Sequence, residues 1–370
     1  MKAKVIRALA QGLLFIVVGG GTYAAATMMN GNKVPSLGSA IEPFYGAHQS
    51  GIEVGRQANL TLLALDINDG VDASAVARLL RVWSADAAQL TAGLPIIGDP
   101  QPEMAENPAR LSILIGFGYS LFSKTEQSEK WPLVQNNIPH YSIDALEDRW
   151  NGGDIVLQIT GDNPIAIFHA ALVLVRDAQP FAHVRWQQNG FLDAAGINPN
   201  NPSRNLMGQI DGTANKPIHT SEFSTIAWKE NGPLAGGTTM VVRRIEIDSQ
   251  MWDLLSPKNK ESALGRSLPD GEKVDSKSAT SHVSRAFTEG TAGIIRRGFN
   301  FDDGYSAEGE KQSGLVFISF QANLKNYLDI QSRLNEVDDL NRWTTPTGSA
   351  LFIVPAGIEK GDYLGNAFFK

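Results

Sequence analysis

Residues 58–67 read ANLTLLALDI, and residues 237–248 read GTTMVVRRIEID. Each is rich in apolar and β-branched residues and carries an acidic one at or next to its end, the composition of a buried strand. Each run is followed by the same kind of segment. After the first comes Ala73–Leu90, where Val76, Leu79, Leu80 and Trp83 share one face at helical spacing. After the second comes Ser249–Leu264, with Trp252 and Leu255 as its apolar contacts. The order then recurs. DIVLQIT at 154–160 leads through Asn163-Pro164, a cap residue and a first-turn proline, into a helix over Ile165–Arg176. GLVFISFQ at 314–321 leads likewise into a helix over Leu324–Leu334. LSILIGF at 111–117 and SALFIV at 349–354 add a further strand to each half. This duplicated order predicts an α+β chain of two tandem ferredoxin-like modules, antiparallel sheets with helices packed on them. The expected boundaries are a linker over 27–50, rich in Gly, Pro and Ser from Gly31, then modules over 51–200 and 201–370.

A chain of 370 residues suits two domains. Its 39 acidic residues outnumber 32 basic ones, for a net charge of −7, which argues against a duplex nucleic-acid binder. Cysteine is absent, so disulfides, thiolate metal sites, iron–sulfur clusters and cysteine nucleophiles are excluded. Any metal must rest on the six histidines and the carboxylates. No phosphate loop, His-Glu-x-x-His or Gly-x-Ser-x-Gly motif is present.

The first 26 residues have the segments of an export signal. Lys2, Lys4 and Arg7 precede an apolar run from Ala8 to Val18, and the small residues Ala24-Ala25-Ala26 follow. The run is short for a spanning helix, which needs roughly 20 apolar residues, so an uncleaved anchor is the alternative. The expected location is periplasmic or extracellular.

Two local signals remain. Arg204–Pro217 reads RNLMGQIDGTANKP and sets Asp211 between Gly208 and Gly212. Asp211 there reads either as an Asx turn or cap, or as a carboxylate held on a turn for acid–base work. The second signal is SHVSRAF at 281–287, followed by IIRRGFNF at 294–301. His282 there is a ligand or an ordinary structural histidine, and the Ile-Ile-Arg-Arg stretch reads equally as an edge strand with solvated cations.

Taken in order with GLVFISFQANL and TTPTGS (344–349), these stretches resemble the dye-decolourising peroxidase family of haem proteins. The resemblance runs from PFYGAHQSGI (43–52) to GDYLG (361–365), and Gly208 to Gly212 stands as the family's Gly-x-x-Asp-Gly. The opening is most similar to the exported bacterial branch that includes deferrochelatase-type proteins. The resemblance implies two ferredoxin-like domains with haem b held mainly by the second. It implies His282 as iron ligand, Asp211 as distal acid–base group and Arg296, rather than Arg297, as distal cation. It also implies a carboxylate behind His282 within Asp338-Asp339-Leu340-Asn341, with Asp339 favoured. Arg285 is expected at a haem propionate, although it stands one position from the family's usual place. Trp343 and Tyr327 are candidates either for electron relay or for structural packing. The implied substrates are hydrogen peroxide and dyes or phenolic-type aromatic donors. The alternative is a haem-handling role, releasing iron from haem alongside iron-uptake or haem-uptake components; a third reading is a non-catalytic binding module. Homo-oligomerisation is compatible with all three. Exported relatives commonly carry a twin-arginine leader, whereas this one has Arg7 alone.

Overall fold

The computed structural model describes residues 37–194, 197, 203–274, 278–287 and 293–370. The expected signal and the first part of the expected linker lie outside these residues.

In the first half, β1 (Asn59–Ile67), β2 (Ser112–Phe117), β3 (Ile155–Gly161) and β4 (Ala182–Phe191) form an antiparallel sheet in the order β2-β3-β1-β4. In the second half, β5 (Thr238–Ile247) lies between β8 (Lys311–Gln321) and β9 (Thr344–Val354). Two shorter strands, β6 (Ile295–Arg296) and β7 (Phe299–Tyr305), line the other edge of β8. The sheets meet at Phe117↔Ile353 and Phe191↔Asn300, which closes the strands into a ring. Leu60, Leu62, Leu114, Val156, Met240, Val242, Ile318 and Phe352 fill its interior.

Strand β1 shows why these segments read as unbroken apolar runs. Leu60, Leu62 and Ala64 face the ring interior, while Leu63, Leu65 and Ile67 face the helices outside. Strands buried on both faces lose the polar–apolar alternation. Helices α1 (Ala73–Thr91) and α2 (Pro164–Ala178) cover the first sheet. Asp72 caps α1 by accepting from Ala75 N, and Asn163 caps α2 by accepting from Ile165 N. Trp83 is fully buried, and its indole N–H donates to Leu174 O at 2.8 Å, pinning α1 on α2.

The structure departs from the sequence reading in definite places. The helix expected over Ser249–Leu264 is two, α3 (Ser249–Asp253) and α4 (Pro257–Leu264). Proline lacks the N–H that would continue the first helix, and Ser256 caps the second by accepting from Asn259 N. Strand β9 starts at Thr344 and not Ser349, because a bulge opposite Arg244 and Ile245 accommodates Pro346 in the ladder. Strands β4 and β7 were not read from the sequence. Most residues of β4 outside Ala182, Trp186, Gln188 and Gly190 are exposed, so its composition is that of a polar loop. The described end of the expected linker is built into the body. There Gln49 donates to Ile115 O and Pro355 O and accepts from Ile115 N, joining the two halves.

Between α1 and α2, Asp86 and Asp177 share a hydrogen bond. Burial, then the neighbouring Asp86 charge and that bond, push the Asp177 carboxyl up to about 7, against the opposing pull of Arg176. An unfolded carboxyl titrates near about 4, so between pH ~4 and ~7 the folded chain holds the extra proton. This contribution to stability is therefore full below pH ~4 and is lost as pH rises through ~7. Asp177→Asn should flatten the decline, and melting temperatures measured from pH 5 to 8 check it. Parallel curves for variant and parent would exclude the pair as its source.

Candidate active site

Residues 203–212 form a tight hairpin. Arg204 and Ile210 bridge antiparallel, and Asn205 Oδ1 accepts from Met207 N and Gln209 N. Gly208 and Gly212 adopt φ of +79° and +82°, a left-handed conformation that side-chain-bearing residues rarely take. The Arg204 guanidinium donates to Gly208 O, Leu268 O and Pro269 O, tying this loop to the hairpin over 266–273. At the end of the loop, Asp211 Oδ1 accepts from Gly212 N at 2.7 Å. Oδ1 bonds the N–H of the very next residue, one short of an Asx turn, and Oδ2 makes no bond to a described residue, which leaves it available for acid–base work.

Arg296 on β6 brings Nη2 to 3.2 Å from the same Oδ1. Both side chains are about a fifth exposed, at 23% for Arg296 and 22% for Asp211. Arg297 turns elsewhere and donates to Val54 O and Gly55 O. Of the two neighbouring arginines, the one chosen from the sequence faces the acid. The stretch is also an edge strand, but its arginines are partly buried and engaged and are not the solvated cations of the alternative reading.

His282 opens the short helix α5 (His282–Ala286), and its Nδ1 lies 2.7 Å from Asp338 Oδ2. This corrects the choice of Asp339. Asp338 caps the single turn of 3-10 helix over Asp339–Arg342, accepting from Leu340 N through Oδ1, and the cap position aims Oδ2 at α5. Asp339 faces the preceding loop instead, where its Oδ2 accepts from Thr280 Oγ1 and its N–H donates to Thr280 O. It pins the residues leading into His282. Arg285 is likewise engaged, donating to Arg333 O and Glu336 Oε2 of helix α6 (Leu324–Glu336). In this structure it fastens α5 to α6, where a propionate contact was expected.

Of the six histidines, two meet a carboxylate at 2.8 Å or less, His169 and His282. His169 is 2% exposed and enclosed beside Asp99. His282 keeps a side chain 24% exposed, and no bond joins its Nε2 to a described residue. The donor set fits a haem iron, which asks the protein for one imidazole of fixed tautomer backed by a carboxylate. Among the described residues, no group of three or more His or carboxylates could hold a bare metal ion.

The hairpin over 265–273 touches both half-sites. A Cβ on Gly265 would lie 2.8 Å from Ser281 Oγ, and one on Gly271 would lie 3.3 Å from Thr213. Trp343 packs edge-on against Trp252 at 5.2 Å, and the Trp252 indole donates to Met207 O, next to Gly208. Tyr327 is 2% exposed, and burial pushes its hydroxyl pKa up, so it does not meet a solvent-borne donor directly. Sequence reasoning missed Asn215. Its side-chain amide donates to Arg296 O at 2.6 Å and accepts from Arg296 N at 2.9 Å.

The chain matches known proteins over most of its length. Residues 49–192 match the family model described as Dyp-type peroxidase, N-terminal, and residues 202–359 match Dyp-type peroxidase, C-terminal. The dye-decolorizing peroxidase of Thermobifida fusca is 32% identical over 86% of this chain and 83% of its own. The deferrochelatase of Escherichia coli K12 is 26% identical over 92% of this chain and 90% of its own. Among solved structures, a DyP-type peroxidase from Cellulomonas bogoriensis superposes with a TM-score of 0.86 at 34% identity, covering 90% of this chain and 99% of that one. Ferric DtpA from Streptomyces lividans gives 0.84 at 33% identity, covering 90% and 98%.

Proposed function

The chain belongs to the Dyp-type peroxidase family, and on that premise we propose how its residues carry out haem-dependent peroxidase chemistry. The observation that carries the reading is the Asp211–Arg296 pair, in which Oδ1 is engaged and Oδ2 makes no bond to a described residue. Haem b would be held through His282 Nε2, and when bound it would supply the redox chemistry by which hydrogen peroxide is reduced and small aromatic donors are oxidised.

The chain supplies proton transfer and fixed charge. Asp211 Oδ2 takes the proton from the near oxygen of peroxide and returns it to the far oxygen, which leaves as water. Arg296 stabilises the negative charge that builds on the departing oxygen. Behind the ligand, Asp338 fixes Nδ1 as the protonated nitrogen, leaves Nε2 as the donor atom, and raises the electron density of the imidazole. The Trp252–Trp343 pair, bonded to the Gly208 loop, is the candidate route for electrons from donors too large to enter. Export to the periplasm or beyond follows from the leader.

Replacing a carboxylate behind a ligating histidine typically costs about 10–100-fold in affinity or activity. Asp338→Asn should therefore weaken haem retention or turnover by that order, and Asp339→Asn should do so much less. Haem titration of both variants decides it; equal losses would return the role to the pair or to Asp339. The deferrochelatase relatives, matched over 92% of this chain, support a second reading in which iron leaves the haem. Iron release measured with a ferrous chelator during incubation with haem separates the two.

A further inference from the structure

The bonds of Asn215 have a form that a loop side chain seldom makes. Strand β6 is two residues long, and among the described residues only one of its edges is paired by another strand. On that edge Arg297 N donates to Ile318 O of β8. The N–H and C=O of Arg296 point the opposite way, as alternate residues of an antiparallel strand do. Both are met by Asn215, whose amide accepts from the N–H and donates to the C=O. A primary amide has the donor and acceptor of a peptide group, so one side chain stands in for a neighbouring strand. Asn215 is in turn fixed to the acid loop, since its own N–H donates to Gly212 O at 3.0 Å. Gly212 N is the group that holds Asp211 Oδ1.

The loop bearing the acid and the strand bearing the cation are therefore joined twice, once between side chains and once through Asn215. Their sequence positions are far apart, with Arg296 standing 81 positions after Asn215. The side-chain pair alone is a weak tether. Both of its members are partly open to solvent, where such pairs contribute little. We propose that Asn215 is a positioning residue that sets the Arg296 guanidinium against Asp211 by clamping the Arg296 main chain. This rests on the peroxidase reading for its consequence, and on the hydrogen bonds alone for its geometry.

Asn215→Ala removes both bonds, while Asn215→Asp keeps the acceptor and loses the donor. A misplacement of about 1 Å can cost on the order of 10²-fold in rate. The second-order rate of the peroxide reaction should fall by about 10–100-fold in the alanine variant and by less in the aspartate variant. Haem content should be unchanged. In an Arg296→Ala background, adding Asn215→Ala should cost no more than about twofold, because the group being positioned is already gone. Amide hydrogen exchange supplies a readout independent of turnover: the Arg296 N–H should lose protection in Asn215→Ala and keep it in Asn215→Asp. Wild-type rates in the alanine variant, or losses that multiply with Arg296→Ala, would overturn the proposal. Unchanged Arg296 exchange would overturn it as well. If the parent protein itself does not react with peroxide, the peroxidase reading fails, and exchange still decides the clamp. If Asn215→Ala loses its haem, the rate and exchange of Asn215→Asp carry the decision.

Discussion

His282→Ala should purify without a Soret band while retaining the fold of the parent. The expectation follows from a count of imidazoles. Each of the others has a described engagement or lies away from a carboxylate: His48 stacks on Trp228, His169 is enclosed with Asp99, and His183 meets Asn68. His219 and His140 are exposed. Among the described residues, His282 alone combines a hydrogen-bonded carboxylate on Nδ1, at 2.7 Å, with a partly open second nitrogen; His219 Nδ1 stands 3.5 Å from Glu53 on the open surface. Its removal empties the first position of a five-residue helix and leaves the ring core untouched. The melting temperature should therefore match that of the haem-free parent. His169→Ala is the control, since it opens a space in the buried layer around α2 and should lower stability without changing haem content. A normal Soret band in His282→Ala would remove the ligand assignment.

Asp211→Asn and Arg296→Leu should both keep haem and both lose reactivity with peroxide, to different depths. Loss of a positioned acid–base group costs about 10²–10⁴ in rate, and loss of a charge-stabilising donor costs about 10²–10³. The two share Oδ1 at 3.2 Å, so they act as a unit. The double variant should fall less than the product of the single losses. The quantity to measure is the second-order rate with peroxide in stopped flow, since dye turnover also reports electron relay. An Asp211→Asn protein that reacts at the parental rate would leave Arg296 as the sole distal catalyst.

The parts legible in the sequence and the parts that were not divide along physical lines. ANLTLLALDI and GTTMVVRRIEID announced themselves because both faces of those strands are covered, which turns a strand into an apolar block. Strand β4 was silent because one face meets solvent, so Arg185, Gln187 and Asn189 dilute the pattern to that of a loop. Asp211, His282 and Arg296 were reached through family resemblance, since each had an equally good structural reading from its residues alone. Asp338 and Asp339 are adjacent and alike, and the choice between them turns on where one helical turn begins. Asp338-x-Leu340 carried a cap signal that could have separated them, since the cap residue is the one that looks back. Asn215 stood in the quoted Asp211 stretch, but its function lies in a backbone that only the fold brings near. A side chain that bonds main chain leaves no trace in its partner's identity.

The central claim is tested most directly by mixing the purified ferric protein with one equivalent of hydrogen peroxide and following the Soret band in stopped flow. The account predicts a single fast change, complete at one equivalent, with a rate proportional to peroxide and reversed by a small aromatic donor. A Soret band that stays unchanged, or that bleaches as iron appears in a chelator, would contradict it.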